Sequence, residues 1–188
     1  MKIVNLTIVL MASLALVSCG AKKAAQETVV QQKPVVTYVQ PGSDLLNAEN
    51  TLRAWAVGIS DSEMTAKKKA VASASSQLAQ MLEKAVSTTI EEYCVSLGEG
   101  EQAKSKDFLS EKTKIVSDQV LSGARPIFDQ WEPKDEKGMY RNYVVLELTG
   151  GDFIKKLIES MNDAQSANVK IDENLLNDLF LKAINSEN

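Results

Sequence analysis

"TLRAWAVGISDSEMTAKKKAVASASSQLAQML", Thr51 to Leu82, holds two different periodicities joined by a short polar link. From Thr51 to Ser60 the chain alternates. Leu52, Ala54, Ala56 and Gly58 fall on one side and Arg53, Trp55, Val57 and Ile59 on the other, the period of a strand with one face buried. In "SDSE", Ser60 and Glu63 have the spacing of a capping box, in which each side chain satisfies a free N–H at a helix start. Beyond it Ala66, Ala70, Ala74, Leu78, Leu82, Ala85, Val86, Ile90, Tyr93 and Leu97 recur every three to four residues, up to Gly98 and Gly100. That is a helix with one packed face. Its first half is lined with Ala and its second half with bulkier side chains, which predicts close backbone approach early and a wider gap later. At about 1.5 Å per residue such a helix spans roughly 50 Å, whereas a strand of about eight residues covers less than ~30 Å. The distal half is therefore expected to overhang the sheet.

The remaining elements follow outward from this pair. A second helix, near Glu101 to Leu121, offers Phe108, Ile115, Val116 and Val120, and Gly123 before Pro126 stops it. The two helices are expected to form a projecting αα-hairpin. "RPIFDQWEPKDEKGMYRNYVVLELTGG" reads as a β-hairpin, with a strand around Pro126 to Glu132, a charged turn closed by Gly138, and a strand from Tyr140 to Leu148. Val144, Leu146 and Leu148 share one face of that strand. Gly150-Gly151 breaks it, and Asp152 can cap a helix carrying Phe153, Ile154, Leu157, Ile158 and Met161. A last helix follows Asp172, with Leu175, Leu176, Leu179, Phe180 and Ile184. The order βααββαα, with helices segregated from adjacent strands, predicts an α+β fold with a small antiparallel or mixed sheet packed by the long helix.

Upstream, "MKIVNLTIVLMASLALVSCG" has a basic start at Lys2, an apolar stretch from about Leu6 to Val17, and small residues at Ser13, Ala15 and Ser18. This is the three-part build of a secretory signal. The apolar run falls short of the roughly 20 residues a membrane-spanning helix needs, and Asn5 and Thr7 interrupt it. Leu16, Val17, Ser18 and Cys19 resemble the lipobox of bacterial lipoproteins at all four positions. The resemblance implies a diacylglyceryl thioether on Cys19, cleavage between Ser18 and Cys19, and acylation of the new amine. Only Cys offers a nucleophilic sulfur for that bond. A plain secretory signal with an incidental Cys is the alternative. Two or three acyl chains anchor stably where one holds marginally, at roughly 0.8 kcal/mol per buried CH₂. The expected organisation is a signal peptide over residues 1–18, a lipidated Cys and flexible tether over 19–48, and one α+β domain over 49–188. Within the tether, Pro34 and Pro41-Gly42 are turn signals. "VVTYV", Val35 to Val39, is β-rich enough to add an edge strand instead.

Arg53 to Leu82 is similar to the Lpp-twenty lipoprotein family. The shared features are a strand ending A-x-G at Ala56 and Gly58, then Ala66, Ala70 and Ala74 at four-residue spacing, leading to Leu78-Ala79. "YVVLEL", Tyr143 to Leu148, is similar to the family's returning strand. The similarity runs over about Thr51 to Leu148. It implies an outer-membrane lipoprotein; the N-terminal domain of the flagellar outer-membrane protein FlgT is similar to the same family. The family brings no established catalytic residues. A long middle, "GEGEQAKSKDFLSEK", and an extra C-terminal helix pair depart from its pattern.

Composition narrows the chemistry. Hydrophobic residues are 44% and charged residues 24% of the chain, an ordinary globular balance, so one domain with a modest core is expected. The net charge of −4 lacks the basic surface on which phosphate-backbone affinity depends, so nucleic acid is excluded as a partner. The chain has no His, which removes the commonest general base and metal ligand at neutral pH. Cys94 is the one thiol left after lipidation, so no intramolecular disulfide is available. It reads as a small buried hydrophobe or as an intermolecular bridge near the hairpin tip, where Tyr93, Cys94 and Phe108 form a possible interaction surface. Glu91 and Glu92 are adjacent on a helix and do not face each other. Lys67, Lys68 and Lys69 fan apart around a helix, with Glu63 placed to pair with Lys67. Asp129, Glu132, Asp135 and Glu136 crowd the β-hairpin without the spacing of a calcium loop. Trp55 and Trp131 lie in strands, where packing is their common use.

The expectation is a non-catalytic, lipid-anchored protein of the bacterial cell envelope, held in the outer membrane through Cys19. It would act on an envelope protein or on its own copy and need no cofactor beyond the covalent lipid. The alternative is a small-ligand or weak metal-dependent domain using Trp131 and the acidic hairpin.

Overall fold

A computed structural model of the chain describes residues 39–98, 100–163 and 170–187. The signal segment, Cys19, the tether up to residue 38, and most of the Val35–Val39 stretch lie outside the described residues. The elements run β1 (Thr51–Ser60), α1 (Glu63–Ser96), α2 (Gln102–Ser122), β2 (Arg125–Glu132), β3 (Tyr140–Thr149), α3 (Gly150–Asp163) and α4 (Glu173–Ser186). This is the α+β order expected. The sheet is wholly antiparallel, with strand order β1-β3-β2, so the last strand in sequence lies at the centre.

Alternation in β1 and β3 places Leu52, Ala54 and Ala56 beside Leu148, Leu146 and Val144 on one face, all nearly or fully buried. The proximal half of α1 lies on that face through Ala66, Ala70 and Ala74, each 0% exposed. The approach is so close that a Cβ at Gly58 would overlap the Ala66 carbonyl oxygen and stand 2.6 Å from the Ala70 nitrogen. Gly58 and the Ala stripe are therefore one device, since removing side chains from both partners lets a helix backbone rest on a strand.

The distal half of α1 buries Leu82, Ala85, Ile90 and Tyr93 against other helices. The hairpin of α1 and α2 forms, but it does not project alone. The C-terminal pair brings Leu176, Phe180 and Ile184 of α4 into the same core, and Phe153 of α3 stacks on Phe180 with centroids 4.5 Å apart. Lys182 bonds Glu92 at 3.0 Å. An apolar helix pair needs a partner, and the bulky distal face of α1 supplies one. Along α2 the buried positions are Ser105, Leu109, Thr113, Val116 and Val120, while Ile115, expected to help cover α1, is 46% exposed. Ser105 and Thr113 are the polar members of the stripe, and Thr113 satisfies its hydroxyl by donating to the Leu109 carbonyl at 2.7 Å.

The helix starts differ from expectation in two places. Ser62 holds the N-cap position of α1 without a side-chain bond, and Ser60 ends β1 with its hydroxyl on Asp61, so the Ser60–Glu63 capping box does not form. Ten paired residues carry β1 through Ser60 and leave it no freedom to act as a cap. Helix α3 begins at Gly150 directly after β3, and Asp152, rather than capping it, accepts the Thr149 hydroxyl from within the first turn. In α4 the Asp172 carboxylate accepts from the N–H groups of Asn174 and Leu175, both at 3.1 Å, as the sequence predicts.

Candidate functional site

The second face of the sheet carries Arg53, Trp55 and Val57 of β1 opposite Glu147, Val145 and Tyr143 of β3. Glu147 stands in the middle of an apolar run, is only 5% exposed, and lies between arginines of both neighbouring strands. Its Oε2 accepts from Arg53 Nε at 2.9 Å and Nη2 at 2.7 Å; its Oε1 accepts from Arg125 Nε at 2.9 Å and also from Arg125 Nη2. Burial alone would raise this carboxyl, but the two guanidinium groups outweigh it and hold Glu147 below the ordinary range. Both oxygens are saturated, so the group is a charged clasp across three strands rather than a base.

Residues 41–45, placed in the tether by their composition, instead lie across this face. Trp55 Nε1 donates to the Pro41 carbonyl at 2.8 Å, and Arg53 Nη1 donates to the Leu45 carbonyl at 2.7 Å. Gly42, at φ 82°, sits where a Cβ would stand 2.7 Å from the Phe128 ring. Trp55 and Phe128 both flank Val145, which is 0% exposed, so the Pro41-Gly42 turn crosses the central strand. Trp55 also meets Tyr143 with centroids 6.0 Å apart, and its indole serves packing and this strap.

Beside the clasp, Arg125, Thr149, Asp152, Lys155 and Lys156 line a cleft of about 300 Å³. Its charges are of mixed sign, and Arg125 and Asp152 are committed to Glu147 and Thr149.

The proposed hairpin-tip surface of Tyr93, Cys94 and Phe108 is corrected by burial. Tyr93 is 1% exposed and its phenol oxygen accepts from the Asp172 N–H at 2.7 Å, so it ties α1 to the start of α4. Cys94 is 8% exposed and a free thiol, its Sγ donating to the Gln102 carbonyl at 3.8 Å, with burial raising the thiol above the ordinary value. Phe108 is half-buried beneath the Lys112 ammonium, 5.8 Å from the ring centroid. These residues form a seam between helices. The exposed apolar residue at this end is Val95, at 81%.

The acidic β-hairpin is spoken for in the same way. Asp129 accepts from Asn142 Nδ2 at 2.7 Å and pairs with Lys67. Burial would raise its pKa, but these two partners leave it lowered. Asp135 accepts the N–H groups of Met139 at 2.9 Å and Lys137 at 3.0 Å, which lower its pKa. Glu132 lies 3.7 Å from Arg141, while Trp131 is half-buried on the helix side of β2. The three lysines separate as expected: Lys67 pairs with Asp129 rather than Glu63, Lys69 donates to the Ile59 carbonyl at 3.1 Å, and Lys68 is exposed. Among the described residues no group of three or more His, Cys, Asp or Glu is placed to hold a metal ion. No helix among them is long and apolar enough to cross a membrane.

Comparison with protein-family models, with curated proteins and with solved structures finds no match to this chain.

The clasp is the feature that sequence reading passed over. Its signal was present as the single acid in "YVVLELT", Tyr143 to Thr149. A charge inside an apolar strand demands a partner.

Proposed function

We propose that this protein is a non-catalytic lipoprotein of the bacterial cell envelope, fixed to the outer membrane through lipid on Cys19, and that its α+β domain works by binding another protein. The observation that carries the reading is the four-residue lipobox Leu16-Val17-Ser18-Cys19 at the end of a short apolar run. The chemistry of the described residues supports it. The chain has no His, the buried carboxylate Glu147 is saturated by two arginines, and burial disfavours ionisation of the Cys94 thiol. The outer-membrane assignment follows the resemblance to the Lpp-twenty lipoproteins.

Growth with radiolabelled palmitate tests the anchor. The wild-type chain is expected to carry label and to sediment with membranes, and Cys19→Ala to lose both. A Cys19→Ala chain that retained label in the membrane fraction would refute the reading.

A further inference from the structure

The segment ahead of β1 is tied to the sheet separately from the fold beneath it. Residues 41–45 are held by Trp55 Nε1 on the Pro41 carbonyl at 2.8 Å and by Arg53 Nη1 on the Leu45 carbonyl at 2.7 Å. From 41 to 49, Gly42 alone is buried. Both ties can be released without disturbing what they rest on: Arg53 grips Glu147 through Nε and Nη2, and Trp55 keeps its ring contact with Tyr143. Few buried groups and exposed hydrogen bonds put this segment at the low-stability end of the fold, where local opening begins.

Asn50 marks where that segment ends. Its φ is 56°, and among the described residues it is the one non-glycine position with positive φ, a conformation that Asn adopts more readily than most residues. Its N–H donates to Asn185 Oδ1 at 2.7 Å, its Oδ1 accepts from Asn185 Nδ2 at 3.0 Å, and its carbonyl accepts from the Gly150 N–H at 2.9 Å. A Cβ at position 150 would stand 3.1 Å from that carbonyl oxygen, so the glycine leaves room for the last bond. Three hydrogen bonds thus bolt the chain to α4 and to the start of α3, one residue before the ten paired residues of β1.

We propose that residues 41–49 are a load-released strap. Tension between the lipid on Cys19 and a protein held by the domain enters at residue 40, peels the strap from the clasp face as one unit, and is stopped at Asn50. Two side-chain hydrogen bonds give way first, because the bolt behind them has three and is backed by a ten-residue ladder. At about 3.3–3.6 Å per extended residue, the segment from 41 to 49 adds roughly 30 Å of reach. Opening also uncovers Trp55 and Phe128 on either side of Val145, while the sheet and its helix face stay closed. The source of the load rests on the reading that the chain is lipid-anchored and binds a protein; the separate opening of the strap does not.

Single-molecule force spectroscopy tests the strap on the full chain carrying Cys19→Ser, so that no lipid contributes and Cys94, the remaining native thiol, is buried. One handle is attached at Gln40→Cys, an exposed position, and the other at a cysteine appended after Asn188. Two steps are expected: a reversible gain of roughly 30 Å at low force, then unfolding of the domain. Trp55→Phe removes one tie and is expected to populate the open strap about fivefold more at the same load. Asn185→Ala, at an exposed position of α4, removes two of the three bonds of the bolt and is expected to lengthen the first step as residues of β1 follow the strap. A single step, a strap population unmoved by Trp55→Phe, or a first step of unchanged length in Asn185→Ala would overturn the proposal. Palmitate labelling at Cys19 is independent of all three outcomes, so failure of the strap and failure of the anchor are distinguishable.

Discussion

The two faces of the sheet are held by opposite means. On one, a helix backbone rests on a strand with almost no side chain between them, through Gly58 and the Ala66, Ala70 and Ala74 stripe. On the other, a buried carboxylate is gripped by two arginines and a short strap is tied down by hydrogen bonds to its carbonyls. The first depends on shape and is indifferent to pH and salt. The second depends on charge and donor geometry, and yields to both. A strand of a three-stranded sheet can thus be buried on two sides without two hydrophobic layers, as β3 is from Asn142 to Leu148.

The largest effect is expected where shape decides. Gly58→Val forces α1 off the sheet and is expected to cost more than about 4 kcal/mol in urea unfolding, beyond ordinary overpacking, because the opposing atoms are backbone. A loss under about 1 kcal/mol would show that the helix face is not set by contact. Next comes the clasp. Glu147→Gln keeps the shape but leaves two guanidinium groups facing a neutral amide, with an expected loss of about 2 kcal/mol. The loss stays below that of a sealed ion pair because Arg125 is 69% exposed.

The same clasp predicts a pH dependence with a definite sign. Glu147 has its folded pKa below the ordinary value of 4.5, so its stabilisation is fully present above that value and is lost as pH falls through the folded one. The stability gap between wild type and Glu147→Gln is therefore expected to be constant from pH 7 to about 5 and to close below about 4.5. A gap that widened in acid would contradict the assignment. The smallest effect belongs to the strap. Trp55→Phe removes one hydrogen bond to Pro41 and is expected to cost about 1 kcal/mol. Faster amide exchange should then be confined to residues 41–48.

The helix face was legible in the sequence and the clasp face was not, for a physical reason. Alternation in β1 and the Ala stripe in α1 are local periods, and a period can be read from one stretch. Glu147 announces a buried charge, but its arginines lie 94 and 22 residues away and meet it because β3 takes the central position, which no local pattern specifies. The strap is harder still, since its attachments are the backbone carbonyls of Pro41 and Leu45, which every residue possesses. Tyr93 and Cys94 were placed on the apolar face of the long helix, yet the partner that turns a tip into a seam begins at Asp172. Sequence spacing identified the faces; chain topology decided what covers them.

Attachment through Cys19 is tested most directly by the intact mass of the chain recovered from envelope membranes. The account predicts a mature protein that begins at Cys19 and carries added diacylglyceryl and amide-linked acyl mass on that residue. A chain that begins elsewhere, or one with Cys19 present and unmodified, would contradict it.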